Sequence, residues 1–387
     1  MANIRWRSVA CAGAALLSIP FLGEPAHADT IRSQQWYLDS MRADEMWKIS
    51  TGAGVTVAVV DTGVEPSLPD LQGQVLPGRD FSGIEGDDRA DYDGHGTGMA
   101  LLIAGTGKGG GGQGTFGLAP GAKILPLKVA GLTAPRTHLL PGTTISNAVR
   151  YAADSDAKII NISMGAPSAN SPEEKAIEYA LAKGKLVLAA AGNDGDKDYN
   201  GVEFPAGYPG VVGVAAVGQD IKAAKWSQPG PHVDLAAPGD NMVHACLGGT
   251  GLCRSHGTSD ATALASASAA LVWSAHPDWT ANQVLRVLIN TAGGPKSGEK
   301  RSDSIGYGVV RPRVALQNPG DPGPPDVSPL PELAAAKSAA PKASPAGAHG
   351  SDGLLSQRNV IAAGVCIVVA AVAATTVRLV RRRRALP

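Results

Sequence analysis

Runs dominated by apolar, often β-branched residues constrain this chain more than any other feature. Residues 55–60, 122–129, 157–162, 185–190 and 211–217 show little polar alternation, so each reads as a strand buried on both faces. Helix-like segments lie between them, among them 143–153 and 171–183. Strand–helix–strand alternation predicts an α/β fold with a doubly covered, mostly parallel sheet. Late in the body, Thr280 followed by Gln283 is a capping-box start and predicts a helix through Ile289. At 44% hydrophobic and 18% charged, the chain has the apolar content for one large core and is unlike a disordered chain. In such a sheet, functional residues gather at the carboxyl ends of the strands.

The two ends carry different information. Arg5 and Arg7 precede an apolar run over 9–22, and Ala26-His27-Ala28 offers small residues for cleavage before Asp29. Residues 1–28 therefore read as a cleaved export signal, the run being shorter than the roughly 20 residues of a span. Residues 360–377 are 18 positions without a charge, followed by Arg378 and four consecutive arginines at 381–384. That stretch is about 27 Å long as a helix, close to the hydrocarbon thickness of a bilayer. It predicts a C-terminal transmembrane helix over 359–380 with a basic cytoplasmic tail at 381–387, which places the body outside. Residues 318–358, rich in Pro, Ala, Ser and Gly, read as an extended linker. The formal net charge of zero hides a body that carries 26 basic and 33 acidic side chains, so nothing in the charge points to nucleic acid.

Three motifs fall where a parallel sheet places chemistry. The run at 55–60 leads straight into Asp61, in Val57-Ala58-Val59-Val60-Asp61-Thr62-Gly63. Asp93-Gly94-His95-Gly96-Thr97-Gly98 opens an apolar helix-like run from Met99. His256-Gly257-Thr258-Ser259 opens a small-residue run over 261–270. Each alone is an ordinary strand-end turn, glycine loop or helix cap. Together they supply an acid, a base and a nucleophile: serine needs a neighbouring base to lose its proton, and the base needs an acid to hold its tautomer. Glycine beside a serine at a helix start lets a substrate backbone approach, and the helix N-terminus favours developing negative charge. A fourth segment, Ala189-Ala190-Ala191-Gly192-Asn193-Asp194, follows another strand. An Asn193 amide donating to a tetrahedral oxyanion is worth roughly 3–4 kcal/mol in the transition state.

These motifs, in this order, resemble the subtilisin-type serine proteases, whose acid, base and nucleophile follow one another as Asp, His and Ser. The resemblance spans about residues 51–316 and includes Asn161-Ile162-Ser163-Met164-Gly165 and Gly306-Tyr307-Gly308. It implies a subtilisin-like fold over 51–317 and a serine endopeptidase with Asp61, His95 and Ser259 catalytic and Asn193 in the oxyanion hole. It also implies that Ser163, Met164 and Gly165 form one wall of the peptide groove, with Ala190 and Gly192 near the primary specificity pocket. No cofactor is implied. The whole layout is similar to the mycosins, membrane-anchored subtilases associated with type VII secretion in actinobacteria. Gln34-Gln35-Trp36-Tyr37-Leu38, leading to Trp47 and Thr51-Gly52-Ala53-Gly54, is similar to their N-terminal extension, here 29–50. That resemblance implies a peptide or protein substrate, the cell membrane and a type VII secretion membrane complex as partners. The alternative is a structural component of such a complex that needs little proteolysis. Only 32 residues separate the cleavage point from Asp61, too few for a separate inhibitory prodomain.

Most subtilases have Met after the serine and Pro four residues after it; here Asp260 and Ala263 stand there. Asp260 suits the helix dipole but places negative charge near the nucleophile, which favours protonated His95 and slows base catalysis at neutral pH. His256 reads as a solvated loop histidine, not the base. Residues 105–117 lack the spacing of a phosphate loop, since Gly109 follows Lys108 where Ser or Thr is needed, and read as a mobile surface loop. Asp70 reads as a structural acid rather than a calcium ligand, and no metal is required. Of the four cysteines, Cys11 leaves with the signal and Cys366 lies in the span. Cys246 and Cys253 remain, in an oxidising compartment and flanking a glycine turn, and are expected to form a local disulfide.

Overall fold

The structure, a computed structural model, describes residues 30–83, 86–129, 143–197, 201–249 and 251–331. The expected export signal and transmembrane helix lie outside the described residues. Among the described residues, no helix is long and apolar enough to cross a membrane.

Three short helices come first: α1 (Ile31–Gln34), α2 (Trp36–Met41) and α3 (Ala43–Met46). Thr30 caps α1, its hydroxyl accepting from the Ser33 amide while the Ser33 hydroxyl accepts from the Thr30 amide. Tyr37, Leu38 and Met46 are fully buried in the same core as the strands. The chain then runs through β1 (Thr56–Asp61), β2 (Arg79–Asp80), α4 (His95–Ala104), α5 (Gly109–Gly112), β3 (Lys123–Lys128), α6 (Thr143–Asp154), β4 (Ile159–Ile162), α7 (Ser171–Ala182), β5 (Leu186–Ala190), β6 (Val212–Val217) and β7 (Leu235–Pro238). A hairpin follows, β8 (Met242–Ala245) with β9 (Leu252–Ser255), then α8 (Thr258–Ala275), α9 (Ala281–Thr291) and α10 (Pro312–Gln317).

Seven strands form one sheet in the order β2-β3-β1-β4-β5-β6-β7, every pairing parallel. β3 lies on one side of β1 and β4 on the other, so the strand order reverses at β1. The carboxyl end of β1 is therefore the switch point, where such sheets open a crevice. Successive β1 residues alternate between the two cores: Val57 and Val59 pack on the side of α4 and α8, Ala58 and Val60 on the side of α6 and α7. α8 is buried from Thr258 to Trp273 and built largely of Ala and Ser. Its hydroxyls tolerate burial because they find partners: Thr262 and Ser268 donate to the carbonyls of Thr258 and Leu264 four residues back, at 2.7 Å each.

The five expected strands and three expected helices, the last from the Thr280 capping box, form with ends shifted by at most a few residues. Differences have local causes. α4 begins at His95, not at Met99, because Gly94 turns the chain with φ +86°. β7 is only four residues long and ends in proline, and the β8–β9 hairpin carries mixed polar sequence, so neither stands out as an apolar run. The expected linker does not begin at 318. Arg286 donates to the carbonyls of Pro322, Pro324 and Val327, and Leu330 is 1% exposed in the main core. Proline-rich backbone has carbonyls without amide partners, and the arginine fork satisfies them.

Candidate active site

Asp61 ends β1 and is fully buried. Its Oδ1 accepts from the Thr62 amide at 2.8 Å and lies 2.7 Å from His95 Nδ1, while Oδ2 is buried without a hydrogen-bond partner. Gly96 permits the approach: a Cβ there would sit 2.2 Å from the Gly63 carbonyl oxygen and 3.0 Å from Asp61 Cβ. A second carboxylate, which the motif reading did not single out, builds this corner. Asp91, 5% exposed, accepts through Oδ1 from the Thr62 hydroxyl and the Gly94 amide at 2.8 Å, and through Oδ2 from the Thr97 amide at 2.9 Å. Thr62 in turn accepts from the Gly96 amide at 2.9 Å. Asp91 thus gathers the free amides at the start of α4 and fastens that helix to the residue after Asp61.

Ser259 is the second residue of α8 and touches the segment that follows β4. Its hydroxyl donates to the Ser163 carbonyl at 2.9 Å, and the Ser163 hydroxyl donates to the Ser259 carbonyl at 3.1 Å. Asn161 donates to the Ser163 hydroxyl at 2.9 Å and accepts from Ser266, farther along α8, at 3.0 Å. This buried network sets the helix start against the strand end. Among the described residues, no hydrogen bond joins Ser259 to His95. Asn193 Oδ1 accepts from both the amide and the hydroxyl of Thr258 at 2.9 Å, which fixes the amide's orientation beside the serine.

Charge is concentrated here. Burial pushes the His95 pKa down, but the Asp61 charge and hydrogen bond, with Asp260 and Asp93 behind them, outweigh it and raise the value to about 9. Asp260 is 2% exposed and is hydrogen-bonded by the Ser255 hydroxyl. Burial raises its pKa to about 6, opposed by that hydrogen bond and by His95. His244 lies against Gly98, where a Cβ would come 3.1 Å from its ring, and burial lowers its pKa. A value raised that far favours the protonated form of His95 at neutral pH. A base must be neutral to accept a proton, so kcat/KM is expected to climb with pH toward a midpoint near 9. Asp260→Met removes one of the charges that hold the proton. The midpoint should then fall, with activity at pH 7 rising about tenfold for each unit it moves. A pH profile of kcat/KM for both proteins checks this, and an unmoved midpoint would show that Asp260 is not coupled to His95.

The remaining expected residues divide by orientation. Met164 packs into the core beside α6 and α7, and the Ser163 side chain faces Ser259, so neither side chain is presented to solvent. Gly165 is exposed, Ala190 is buried at 4%, and Gly192 is half-buried with its amide 3.2 Å from the Thr258 hydroxyl. His256 is exposed against the Trp226 ring. Cys246 and Cys253 form a disulfide across the β8–β9 hairpin, Cα–Cα 5.0 Å, worth roughly 2–3 kcal/mol on the chain-entropy account. The glycine stretch after α4 is pinned: Asp70 accepts from the amides of Gly109 and Thr115 at 2.6 and 3.0 Å.

A seven-stranded parallel sheet with an aspartate–histidine pair at the carboxyl end of β1, and a serine at the start of α8 against the end of β4, is an arrangement suited to nucleophilic hydrolysis. Comparison with known proteins narrows it. The profile of the subtilase family matches residues 52–308. Thermitase of Thermoactinomyces vulgaris is 36% identical over 242 residues, which cover 60% of this chain and 83% of that protein. Subtilisin E of Bacillus subtilis is 35% identical over 243 residues, 62% of this chain and 61% of that protein. Among solved structures, MycP1 from Mycobacterium smegmatis superposes with a TM-score of 0.67 at 30% identity, covering 78% of this chain and 89% of that one. MycP3, a protease from the type VII (ESX-3) secretion system, gives 0.64 at 33% identity, covering 75% and 90%. The chain belongs to the subtilase family and is a subtilisin-like serine protease.

Proposed function

We propose that this chain is an extracytoplasmic serine endopeptidase, held at the cell membrane by residues 359–380 and working by acyl transfer in a type VII secretion setting. The 2.7 Å contact between the Asp61 carboxylate and His95 Nδ1, at the sheet's switch point, carries the reading. Ser259 Oγ rotates from the Ser163 carbonyl toward His95, attacks the scissile carbonyl carbon and passes its proton to His95 Nε2. Asp61 holds the other ring nitrogen protonated and stabilises the imidazolium. Asn193 Nδ2 and the Ser259 amide donate to the oxyanion. Collapse of the tetrahedral species breaks the C–N bond, and the leaving amine takes the proton from His95. Water then gives a proton to His95 and attacks the acyl-enzyme ester, and Ser259 leaves with that proton restored. A fluorophosphonate probe should label the wild type and not Ser259→Ala; equal labelling of both would overturn the assignment.

The likeness to MycP1 and MycP3 supports the secretion setting, and the arginines after the charge-free segment support an outside-facing body. Alkaline phosphatase fused after Gly353 should be active. An inactive fusion, with a cytoplasmic reporter active at the same point, would invert the topology. A second reading, a structural part of a secretion complex with little proteolysis, is favoured by one observation: the Ser259 hydroxyl rests on Ser163 and not on His95. Absence of probe labelling in the folded wild type would select it.

A further inference from the structure

Glu203 carries a carboxyl group that finds no partner among the described residues. It is 8% exposed, and among the described residues no hydrogen bond or cation reaches its side chain. An antiparallel bridge between Ala166 and Phe204, with N–O distances of 2.9 and 2.8 Å, sets it beside Gly165. The side chain runs across two glycines. A Cβ on Gly192 would lie 2.7 Å from Glu203 Cγ, and one on Gly165 would lie 3.2 Å from its Oε2. Both glycines lead to the nucleophile: the Gly192 amide meets the Thr258 hydroxyl, and the Ser163 carbonyl accepts from Ser259.

A second acceptor faces the same spot. Gln228 is fully buried, and its backbone amide donates to the Gly192 carbonyl at 3.0 Å. Its Nε2 donates to the Gly201 carbonyl, while Oε1 is buried without a partner. A Cβ on Gly192 would lie 2.4 Å from that oxygen. Beside Gly192, then, lie two side-chain acceptors that no donor among the described residues reaches. Burial, and then the nearby Asp194 charge, raise the Glu203 pKa. A carboxylate largely covered by protein and without a cation is costly, and a bound cation removes that cost.

We propose that Glu203 and Gln228 form the floor of the primary specificity pocket and that the enzyme cleaves after lysine or arginine. The substrate's ammonium or guanidinium pairs with the Glu203 carboxylate and donates to Gln228 Oε1. An apolar side chain in the same place leaves both acceptors dry and unpaired, which is how a polar site rejects an analogue that cannot bond to it. The proposal rests on the serine endopeptidase reading above.

The test uses the full chain and matched fluorogenic peptides that differ only in the residue before the cleaved bond. Wild type should favour Lys and Arg over Leu by at least about 50-fold in kcat/KM, and Glu203→Gln should bring that ratio to within about threefold. A merely structural role would lower all rates together and leave the ratio. Hydrolysis is not required for a second measurement. p-Aminobenzamidine, a fluorescent aromatic amidinium, should bind Ser259→Ala at least about tenfold more tightly than the same protein carrying Glu203→Gln. A wild-type preference for Leu, or amidinium binding indifferent to Glu203→Gln, overturns the pocket. Glu203-dependent amidinium binding without hydrolysis or fluorophosphonate labelling upholds the pocket and overturns the endopeptidase reading.

Discussion

Ser259→Ala is expected to lower kcat on a good peptide by about 10⁶-fold, leaving a rate still some 10³-fold above that in water. On the proposed mechanism the loss is that large because the alcohol, imidazole and carboxylate act as one unit. Without Oγ no ester forms, and His95 has nothing to deprotonate except a badly placed water. On the same mechanism, the activity that survives comes from the proposed oxyanion donors, Asn193 and the helix start. The same logic makes the effects non-additive: Ser259→Ala with His95→Ala should be no slower than either alone. Loss of the hydroxyl also frees the Ser163 carbonyl that accepts from it at 2.9 Å, so stability should fall by only about 1 kcal/mol. Active-site-titrated enzyme and a fluorogenic peptide measure the rate, and a thermal melt measures the stability. More than 1% of wild-type kcat in a contaminant-free Ser259→Ala preparation would remove Ser259 from the mechanism.

Asp61→Asn is expected to cost about 10⁴-fold in kcat while leaving the backbone in place. Asp61 Oδ1 faces His95 Nδ1 at 2.7 Å and the Thr62 amide at 2.8 Å. An asparagine gives up the Thr62 contact, which falls on the same oxygen, and turns its NH₂ toward Nδ1. That traps the imidazole with its proton on Nε2, the nitrogen that must accept from Ser259. The variant also loses the charge that, against burial, does most to lift the His95 pKa to about 9, so the pH midpoint of its residual activity should fall. A fall in kcat of less than tenfold, or a midpoint that stays near 9, would show that the pair seen here is not the catalytic one.

Much of this site was legible because its chemistry sits in short motifs at the ends of apolar runs. Asp61 terminates β1, His95 opens α4 and Ser259 opens α8, each flanked by glycines that only a close approach requires. Asp260 was legible as well, because its neighbour identifies it: the residue after the nucleophile is turned with the helix toward the same pocket. Asp91 was not. An aspartate four positions before a histidine has no local signature, and its role exists only because Thr62, Gly94 and Thr97 converge on it. The linker boundary was misplaced for a related reason. Composition predicts too little apolar surface to fold alone, but Arg286 and the core slot under Leu330 lie elsewhere in the chain and hold residues 319–331 down.

By itself the sequence determined the strands, because parallel strands buried on both faces must be continuously apolar, and it determined which chemical groups end up at their carboxyl edge. Only the tertiary structure decided which polar side chains are drawn under cover and which of them find partners there. Glu203 lies 56 positions before Ser259 in a stretch without a catalytic motif, and Gln228 lies 25 positions beyond Glu203. Neither residue type nor spacing distinguishes them from surface side chains. They become a pocket floor because the Ala166–Phe204 bridge and the Gln228–Gly192 hydrogen bond bring both beside one glycine, and desolvation depends on neighbours in space, not on neighbours in sequence.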